Sequence, residues 1–157
     1  LSRSVEHHHV HEADLVNVSP KGVCIEWHDD NASLKTGELL AVHEAGKKRW
    51  NIGLIRWIRQ NVSGGARLGV ELIASEVAPI VAQKSNGTGE YIRALLIAHD
   101  KDFGGNETLL VPATRYKTND KLSVWRSNTE KRYLLECRIL TSSSISQYLL
   151  RAQEVGV

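Results

Sequence analysis

Short apolar runs between turn-forming residues are the feature that most limits the folds open to this chain of 157 residues. The runs are rich in Val, Ile, Leu, Trp and Tyr, and they alternate with clusters of Gly, Asn, Asp, Ser and Lys. No segment keeps the 3.6-residue apolar period of a long amphipathic helix. The pattern predicts strands at about residues 10–17, 22–28, 37–44, 49–60, 66–74, 91–98, 107–112, 121–126, 131–141 and 145–151. Many short strands with turns between them indicate an all-β barrel or sandwich.

Alternation within the strands predicts which side chains share a face. In the segment 50–59, the even-numbered residues from Trp50 to Ile58 should form one face and the odd-numbered residues the other. In the segment 131–140, the odd-numbered residues from Tyr133 to Ile139 should form a core face. Cys24 and Cys137 each lie within such an apolar run, so both are predicted to be buried free thiols, which fits a reducing compartment.

The composition changes at residues 84–89, a polar, glycine-containing stretch that we interpret as a linker. It divides the chain into an N-terminal domain at 1–84 and a C-terminal domain at 85–157, each with about five strands. The preceding segment, residues 74–81, is predicted to be a short helix or a connector, because Pro79 limits regular structure there.

Composition and charge restrict the function classes. Apolar residues make up 41% and charged residues 24% of the chain, which is typical of a globular protein. No stretch has the roughly 20 apolar residues needed to span a membrane, and no signal peptide is visible, so a cytoplasmic protein is expected. A net charge of +2 does not favour a duplex nucleic-acid binder. Without a nucleophile elbow, a zinc-protease helix or a P-loop, no enzyme is predicted.

One segment carries a binding motif. Asn17, Ser19 and Gly22 form the pattern N-x-S-x-x-G, and an apolar strand follows at once. Alone, the pattern is typical of an ordinary turn, in which each residue type favours a tight bend. The same residues also suit a ligand, because the Asn amide can read a guanine edge, the Ser hydroxyl rotates, and Gly lets the backbone approach a base or phosphate.

Further pieces follow this motif in order and give it more weight. Residues 35–40 contain a glycine that enters a strand, residues 53–58 read G-L-I-R-W-I, and residues 68–72 read L-G-V-E-L. Together with the N-x-S-x-x-G motif, residues 10–74 resemble a PilZ domain, the module with which bacteria bind cyclic di-GMP. The resemblance implies a six-stranded antiparallel barrel, followed here by a second, divergent PilZ-like or split barrel.

The resemblance also implies a ligand site on the outside of the barrel. Asn17 and Ser19 would contact one guanine or its phosphate, and Gly22 would let the backbone approach the ligand. From their place in the sequence, Arg56 and Trp57 are expected to border the same surface. The family's second motif, R-x-x-x-R, precedes the first strand and clamps the phosphates. Arg3 is the one arginine in that region, so the motif is incomplete. Two interpretations stay open: the second arginine lies upstream of Leu1 or in a missing segment, or this is a degenerate PilZ domain that binds no nucleotide.

A histidine-rich segment precedes the motif. In a strand, His7, His9 and His11 would share one face. Three imidazoles can bind zinc, but three ligands along one strand seldom converge on a tetrahedral ion, so no metal site is predicted. Two alternatives are that the histidines lie on a solvated strand, or that they contact the ligand in place of the missing arginine. The four tryptophans leave single-strand nucleic-acid binding as a further rival.

The sequence therefore predicts a cyclic di-GMP receptor or adaptor without a cofactor. Nucleotide binding would order the N-terminal segment against the barrel and change the surface shown to an unidentified protein partner. The alternative is a ligand-free PilZ-like module that acts through protein–protein contacts. The oligomeric state is not predicted.

Overall fold

The computed structural model describes residues 10–28 and 33–154, and this part of the chain folds into strands with a single 3₁₀ turn and no α-helix. The strands are β1 (Ala13–Ser19), β2 (Gly22–Trp27), β3 (Leu39–His43), β4 (Trp50–Gln60), β5 (Ala66–Ala74), β6 (Ala78–Lys84), β7 (Ile92–Asp100), β8 (Asn106–Pro112), β9 (Lys121–Arg126), β10 (Thr129–Thr141) and β11 (Ile145–Gln153). The 3₁₀ turn, Lys101–Phe103, lies between β7 and β8.

The first five strands form one antiparallel sheet with the order β1-β2-β5-β4-β3. Three hairpins build it: β1–β2, β3–β4 and β4–β5. The β4–β5 turn is rich in glycine, and hydrogen bonds from the Asn61 N–H to the Gly65 carbonyl oxygen and from the Gly64 N–H to the Asn61 carbonyl oxygen close it. Pairing of β2 with β5 then joins the hairpins. The inner face of this five-stranded sheet buries Ile25, Ala66, Leu68 and Val70.

The last six strands form a closed antiparallel barrel with the order β10-β11-β8-β7-β6-β9. Inward-facing residues of all six strands fill its interior, including the buried Tyr133 and Tyr148. Closure leaves no strand edge unpaired in a barrel of this kind.

The predicted fold class is confirmed: the chain is all-β with two barrel-type domains. The two halves differ in detail. The closed barrel with six strands is the C-terminal one, whereas the described residues of the N-terminal half form a five-stranded sheet.

Strand β6 corrects the prediction for residues 74–81. This segment is not a helix, and its connector is only three residues long, since Ala74 ends β5 and Ala78–Lys84 pairs with both β7 and β9. Pro79 fits because pairing with β9 begins only at Val81, so Pro79 has a neighbour on one side alone. Lys84 ends β6, and residues 85–91 form the loop of the β6–β7 hairpin, so this stretch connects two strands of the barrel. Residues 75–77 connect the sheet to the barrel. The division of the chain into domains after residue 84 stays a prediction.

Bulges correct the predicted face assignments. In β4 the register shifts between Ile55 and Trp57, so that Ile55 pairs with Val70 and Ile58 with Leu68. Both isoleucines therefore face the same core, although strict alternation had put them on opposite faces. In β10 a shift between Leu135 and Cys137 likewise breaks the strict alternation of side chains between the two faces. Cys24 is buried as predicted, whereas Cys137 is exposed.

A shared core joins the two halves. The sheet contributes the buried Ile52 and Leu54, and the barrel contributes Ile97, Leu110 and Ile145. Beside this core, the Ser142 hydroxyl donates a 2.7 Å hydrogen bond to the Gly37 carbonyl oxygen across the junction. The same hydroxyl oxygen accepts the backbone N–H groups of Ser144 and Ile145. One side chain thus satisfies backbone groups on both sides.

Loss of this hydroxyl should weaken the junction. We expect Ser142→Ala to lower the free energy of unfolding by about 1–3 kcal/mol, because it leaves partly buried backbone groups unpaired. Urea unfolding followed by tryptophan fluorescence measures the effect. Ser143→Ala is the matched control: its exposed hydroxyl bonds the Thr36 carbonyl at 3.1 Å, and its removal should have a smaller effect. Equal effects of the two substitutions would contradict the special role of Ser142.

Candidate functional site

The N-x-S-x-x-G motif forms the tight hairpin between β1 and β2. Ser19 pairs with Gly22, and Pro20 and Lys21 form the two-residue turn. The Ser19 hydroxyl donates to the Gly22 carbonyl oxygen at 3.3 Å. All of β1 is exposed, including Asn17. The motif therefore lies at the surface of the sheet, as predicted.

Gly22 is required by the close approach of a neighbouring strand. A Cβ atom at this position would lie 2.6 Å from the Val70 carbonyl oxygen of β5. The Leu72 N–H also donates to the Lys21 carbonyl oxygen at 2.8 Å, which fixes the turn to β5. The motif glycine thus has a structural reason that is independent of any ligand.

Strand register brings the motif and Trp57 onto one face. Asn17 pairs with Cys24, Cys24 with Gly69, and Gly69 with Trp57, across four neighbouring strands. Directly paired residues project to the same side of a sheet, so this row of side chains shares one face. With strands about 4.8 Å apart, Asn17 and Trp57 lie roughly 14 Å from each other. Together with Ser19, Gly22, Arg56 and Glu71, this row defines what we call the polar face.

The adjoining row carries an ion pair. Ser19 pairs with Gly22, and Gly22 pairs with Glu71. The Glu71 carboxylate accepts hydrogen bonds from the Arg56 guanidinium. Arg56 lies on this side because it alternates with Leu54, which pairs with Glu71, and the bulge between Ile55 and Trp57 brings Trp57 to the same side. Both side chains remain partly exposed.

Trp57 has its position because the residue opposite it is a glycine. Its indole ring lies directly over Gly69, in the space that a Cβ atom there would occupy. Trp57 is 42% exposed as a residue, and the Arg59 guanidinium carbon lies 6.0 Å from the centroid of its ring. An accessible indole next to a guanidinium is a surface on which a planar ring can stack.

A second polar network lies at the far end of this face. Glu26 accepts hydrogen bonds from Arg67, at 3.0 Å, and from the Asn61 amide. The hydrogen bond from Arg67 is the largest influence and holds the pKa of the Glu26 carboxyl below its ordinary value; burial opposes it. On the strand beside it, His28 and Asp14 pair at 2.8 Å.

Five of the six residues predicted for the ligand site therefore meet on the polar face. They are Asn17, Ser19, Gly22, Arg56 and Trp57. Arg3 lies outside the described residues. Within the described part of the chain, the Asn17 side chain makes no hydrogen bond, so its amide is available to a ligand.

The histidine segment is only partly described. His7 and His9 lie outside the described residues, and the His11 ring lies 4.9 Å from Trp27. No group of three metal-ligating side chains occurs among residues 10–28 and 33–154. Within the same ranges, no helix has the length and apolar character needed to cross a membrane.

Sequence reasoning missed two contributors to this face. Glu71 neutralises Arg56, and Gly69 makes room for Trp57. Both belong to the L-G-V-E-L strand that supported the family resemblance. The role of Glu71 depends on the register between β4 and β5, and that of Gly69 depends on the bulge in β4, which no local sequence signal marked.

Substitution of the motif glycine should destabilise the fold. We expect Gly22→Ala to lower the free energy of unfolding by about 1–3 kcal/mol, because the new methyl group would overlap the Val70 carbonyl oxygen. Urea denaturation measures this. Asn17→Ala in the same hairpin, whose side chain is exposed, should leave the midpoint nearly unchanged. An unchanged midpoint for Gly22→Ala would show that β5 does not approach as closely as described.

The lowered pKa of Glu26 predicts a pH-dependent stability. A carboxyl with a folded pKa below its unfolded value of about 4.3 stabilises the fold above that value. This contribution is lost as the pH falls through the folded pKa. Glu26→Gln should therefore be less stable than the parent protein at pH 7, and the difference should shrink at pH 3. Thermal melts at both pH values test this, and a difference that does not change with pH would refute it.

Comparison with known proteins gives matches to both halves of the chain. Residues 2–79 match the family described as "Cyclic-di-GMP receptor FimW, middle PilZ domain", and residues 78–153 match the "FimW C-terminal beta-barrel domain". A curated protein of Pseudomonas aeruginosa named "Cyclic-di-GMP receptor FimW" is 31% identical over 144 residues, which are 89% of this chain and 24% of that protein. The chain thus spans about a quarter of the length of this relative. No solved structure matches the chain.

The two family matches meet at residues 78–79, where β6 begins, and their order agrees with the sheet followed by the closed barrel. The N-x-S-x-x-G hairpin lies within the first match. The chain therefore belongs to the PilZ domain family, as a PilZ domain followed by a C-terminal β-barrel domain.

Proposed function

We propose that this chain is a cyclic di-GMP receptor and that the polar face binds the nucleotide. The observation that carries the proposal is the row from Asn17 to Trp57, which places the motif amide and an exposed indole on one face of the sheet. The name of the matched relative, a cyclic di-GMP receptor, supports the same ligand.

The hairpin supplies the polar recognition. The Asn17 amide offers donors and an acceptor that suit the edge of a guanine. The Ser19 hydroxyl, whose 3.3 Å bond to Gly22 is long, can turn towards a phosphate oxygen or a base. Because Lys21 is bonded to β5, the turn is already fixed before a ligand arrives, and little order has to be gained on binding.

The other end of the face supplies stacking and charge. A guanine base can stack on the exposed side of Trp57, with the Arg59 guanidinium beside it. Arg56 can hold a phosphate in a bidentate manner, as arginine does with oxyanions. In the free protein Glu71 already neutralises Arg56, so the ligand phosphate must compete with that carboxylate.

Arg3 would complete the site from the N-terminal side. Binding would bring the segment before β1 onto the polar face, where the Arg3 guanidinium can contact a phosphate. The face borders the barrel, because Glu71 pairs with Leu54, and Leu54 belongs to the core shared with the barrel. A ligand here would thus alter the surface next to the junction, which we propose is read by a protein partner.

We further propose that the chain acts as a cytoplasmic, non-enzymatic receptor. The family to which it belongs is one of receptors. For the domain division, we propose residues 75–77 in place of residue 84, because β6 pairs within the barrel and the two family matches meet at its start.

Isothermal titration with cyclic di-GMP tests the receptor function. The full-length protein should bind with a dissociation constant in the micromolar range or tighter. Asn17→Ala should weaken binding about tenfold, which corresponds to about 1.4 kcal/mol, because it removes the contacts to the guanine edge. Stacking on Trp57 should also change the tryptophan fluorescence on titration.

Asn86→Ala is the matched control, since this exposed residue lies in the β6–β7 loop of the barrel and bonds only within its own loop. It should bind as the parent protein does. If no heat is released even at high nucleotide concentration, the degenerate, ligand-free alternative is correct. If Asn17→Ala binds as tightly as the parent, the nucleotide site does not lie on the polar face.

A further inference from the structure

The mouth of the C-terminal barrel contains a cavity of about 810 Å³. It lies at the end where β7, β9 and β11 finish, and the β7–β8 loop and the β9–β10 turn form its rim. A volume of this size falls in the range of small-molecule sites, and barrel mouths are a frequent place for them. The cavity is separate from the polar face, which lies on the N-terminal sheet.

The floor of the cavity is apolar. Leu96, Val124 and Leu150 are each at most 6% exposed and belong to the barrel core, and the Tyr133 ring completes the floor. Ala152, which pairs with Tyr133, also lines the cavity, and its small side chain leaves space above the floor. A planar or apolar body can therefore lie against these residues.

Cations occupy inward-facing positions at the rim. Arg126 follows Leu122 and Val124 on the inward face of β9, and Lys131 pairs directly with Val124. Deep in a small barrel, the inward-facing positions are normally apolar. Two cations at inward-facing positions therefore mark the end of the barrel, where its interior meets solvent. Within residues 10–28 and 33–154, neither Arg126 nor Lys131 forms an ion pair.

The acidic groups of the cavity are already engaged. The Tyr133 hydroxyl donates to Glu107 at 2.8 Å, and Glu136 lies 3.8 Å from Arg151. Burial, with the nearby Glu107 carboxylate, raises the pKa of Tyr133 well above its ordinary value, so the hydroxyl keeps its proton and remains a donor. Among the described residues that line this mouth, Arg126, Lys131 and Glu107 have no oppositely charged partner, and two of these three are cations.

We propose that the barrel mouth binds a small organic anion, namely a phosphate or carboxylate carried on a planar or apolar body. The anionic group would lie between Arg126 and Lys131, and the body would cover Leu96, Val124 and Leu150. The second oxygen of Glu107 can accept a hydrogen bond from a donor on the body. This arrangement uses the two cations, the apolar floor and the Glu107 carboxylate at the edge of the cavity.

Titration with three probes tests the proposal: 1-naphthyl phosphate, 1-naphthoate and inorganic phosphate. Methyl NMR spectra of the full chain should show shifts at Leu96, Val124 and Leu150 on addition of at least one naphthyl probe, and no comparable shifts at Leu68 and Val70 of the N-terminal sheet. Binding of the phosphate probe alone, or of the carboxylate alone, would identify the anionic group. Inorganic phosphate should bind more weakly than 1-naphthyl phosphate, because it lacks the body that covers the floor.

Paired variants distinguish a site from general charge attraction. Arg126→Ala with Lys131→Ala should weaken binding at least tenfold. Lys117→Ala with Lys121→Ala removes the same charge near the start of β9, roughly 17 Å from Arg126 along the strand, and should have no effect. As a second approach that keeps both cations, Ala152→Trp should block the cavity and abolish the methyl shifts. Circular dichroism verifies the fold of each variant.

Three results would overturn the proposal. The first is that neither naphthyl probe shifts the floor methyl groups. The second is that the two double variants weaken binding equally. The third is that the folded Ala152→Trp protein binds as the parent does.

Discussion

Pairing between β2 and β5 is the interaction on which the N-terminal half depends. It connects residues about 45 positions apart in the chain and joins the β1–β2 hairpin to the other two hairpins. Without it, Asn17 and Trp57 would lie on separate pieces of structure, because each belongs to a different hairpin. Because Gly22 has no side chain, the Val70 carbonyl oxygen can approach it closely. Because Gly69 has none, the Trp57 ring can lie directly over it. Both glycines lie on the two strands that make this pairing.

Local sequence signals were sufficient for the strands but not for their irregularities. Ten strands and the glycine-rich turn between β4 and β5 follow from apolar runs and turn residues. Strand β6 was missed because Pro79 argues against a strand unless one knows that the pairing there is one-sided. Cys137 was wrongly predicted to be buried, and Ile58 was wrongly placed on the face opposite Ile55. Each error arises at a bulge, and a bulge is set by pairing with a distant strand.

The residues of the proposed nucleotide site could be predicted to a similar depth. The motif identified Asn17, Ser19 and Gly22, and the sequence pieces suggested Arg56 and Trp57. That these five share a face could not be read from the sequence, because alternation alone puts Arg56 and Trp57 on opposite sides. The engagement of Arg56 by Glu71 was likewise hidden, since it requires the register between β4 and β5.

The connection between the two halves limits how a signal can pass between them. Residues 75–77 are the whole link from β5 to β6, and a chain of this length extends by no more than about 14 Å between the strand ends. So short a tether keeps the partners of the shared core at a high effective concentration, and contacts that open there would close again quickly. The link therefore limits how far the ends of β5 and β6 can move apart. A stimulus at the sheet can reach the barrel through rotation about this link, or through changes in the packing of the core itself.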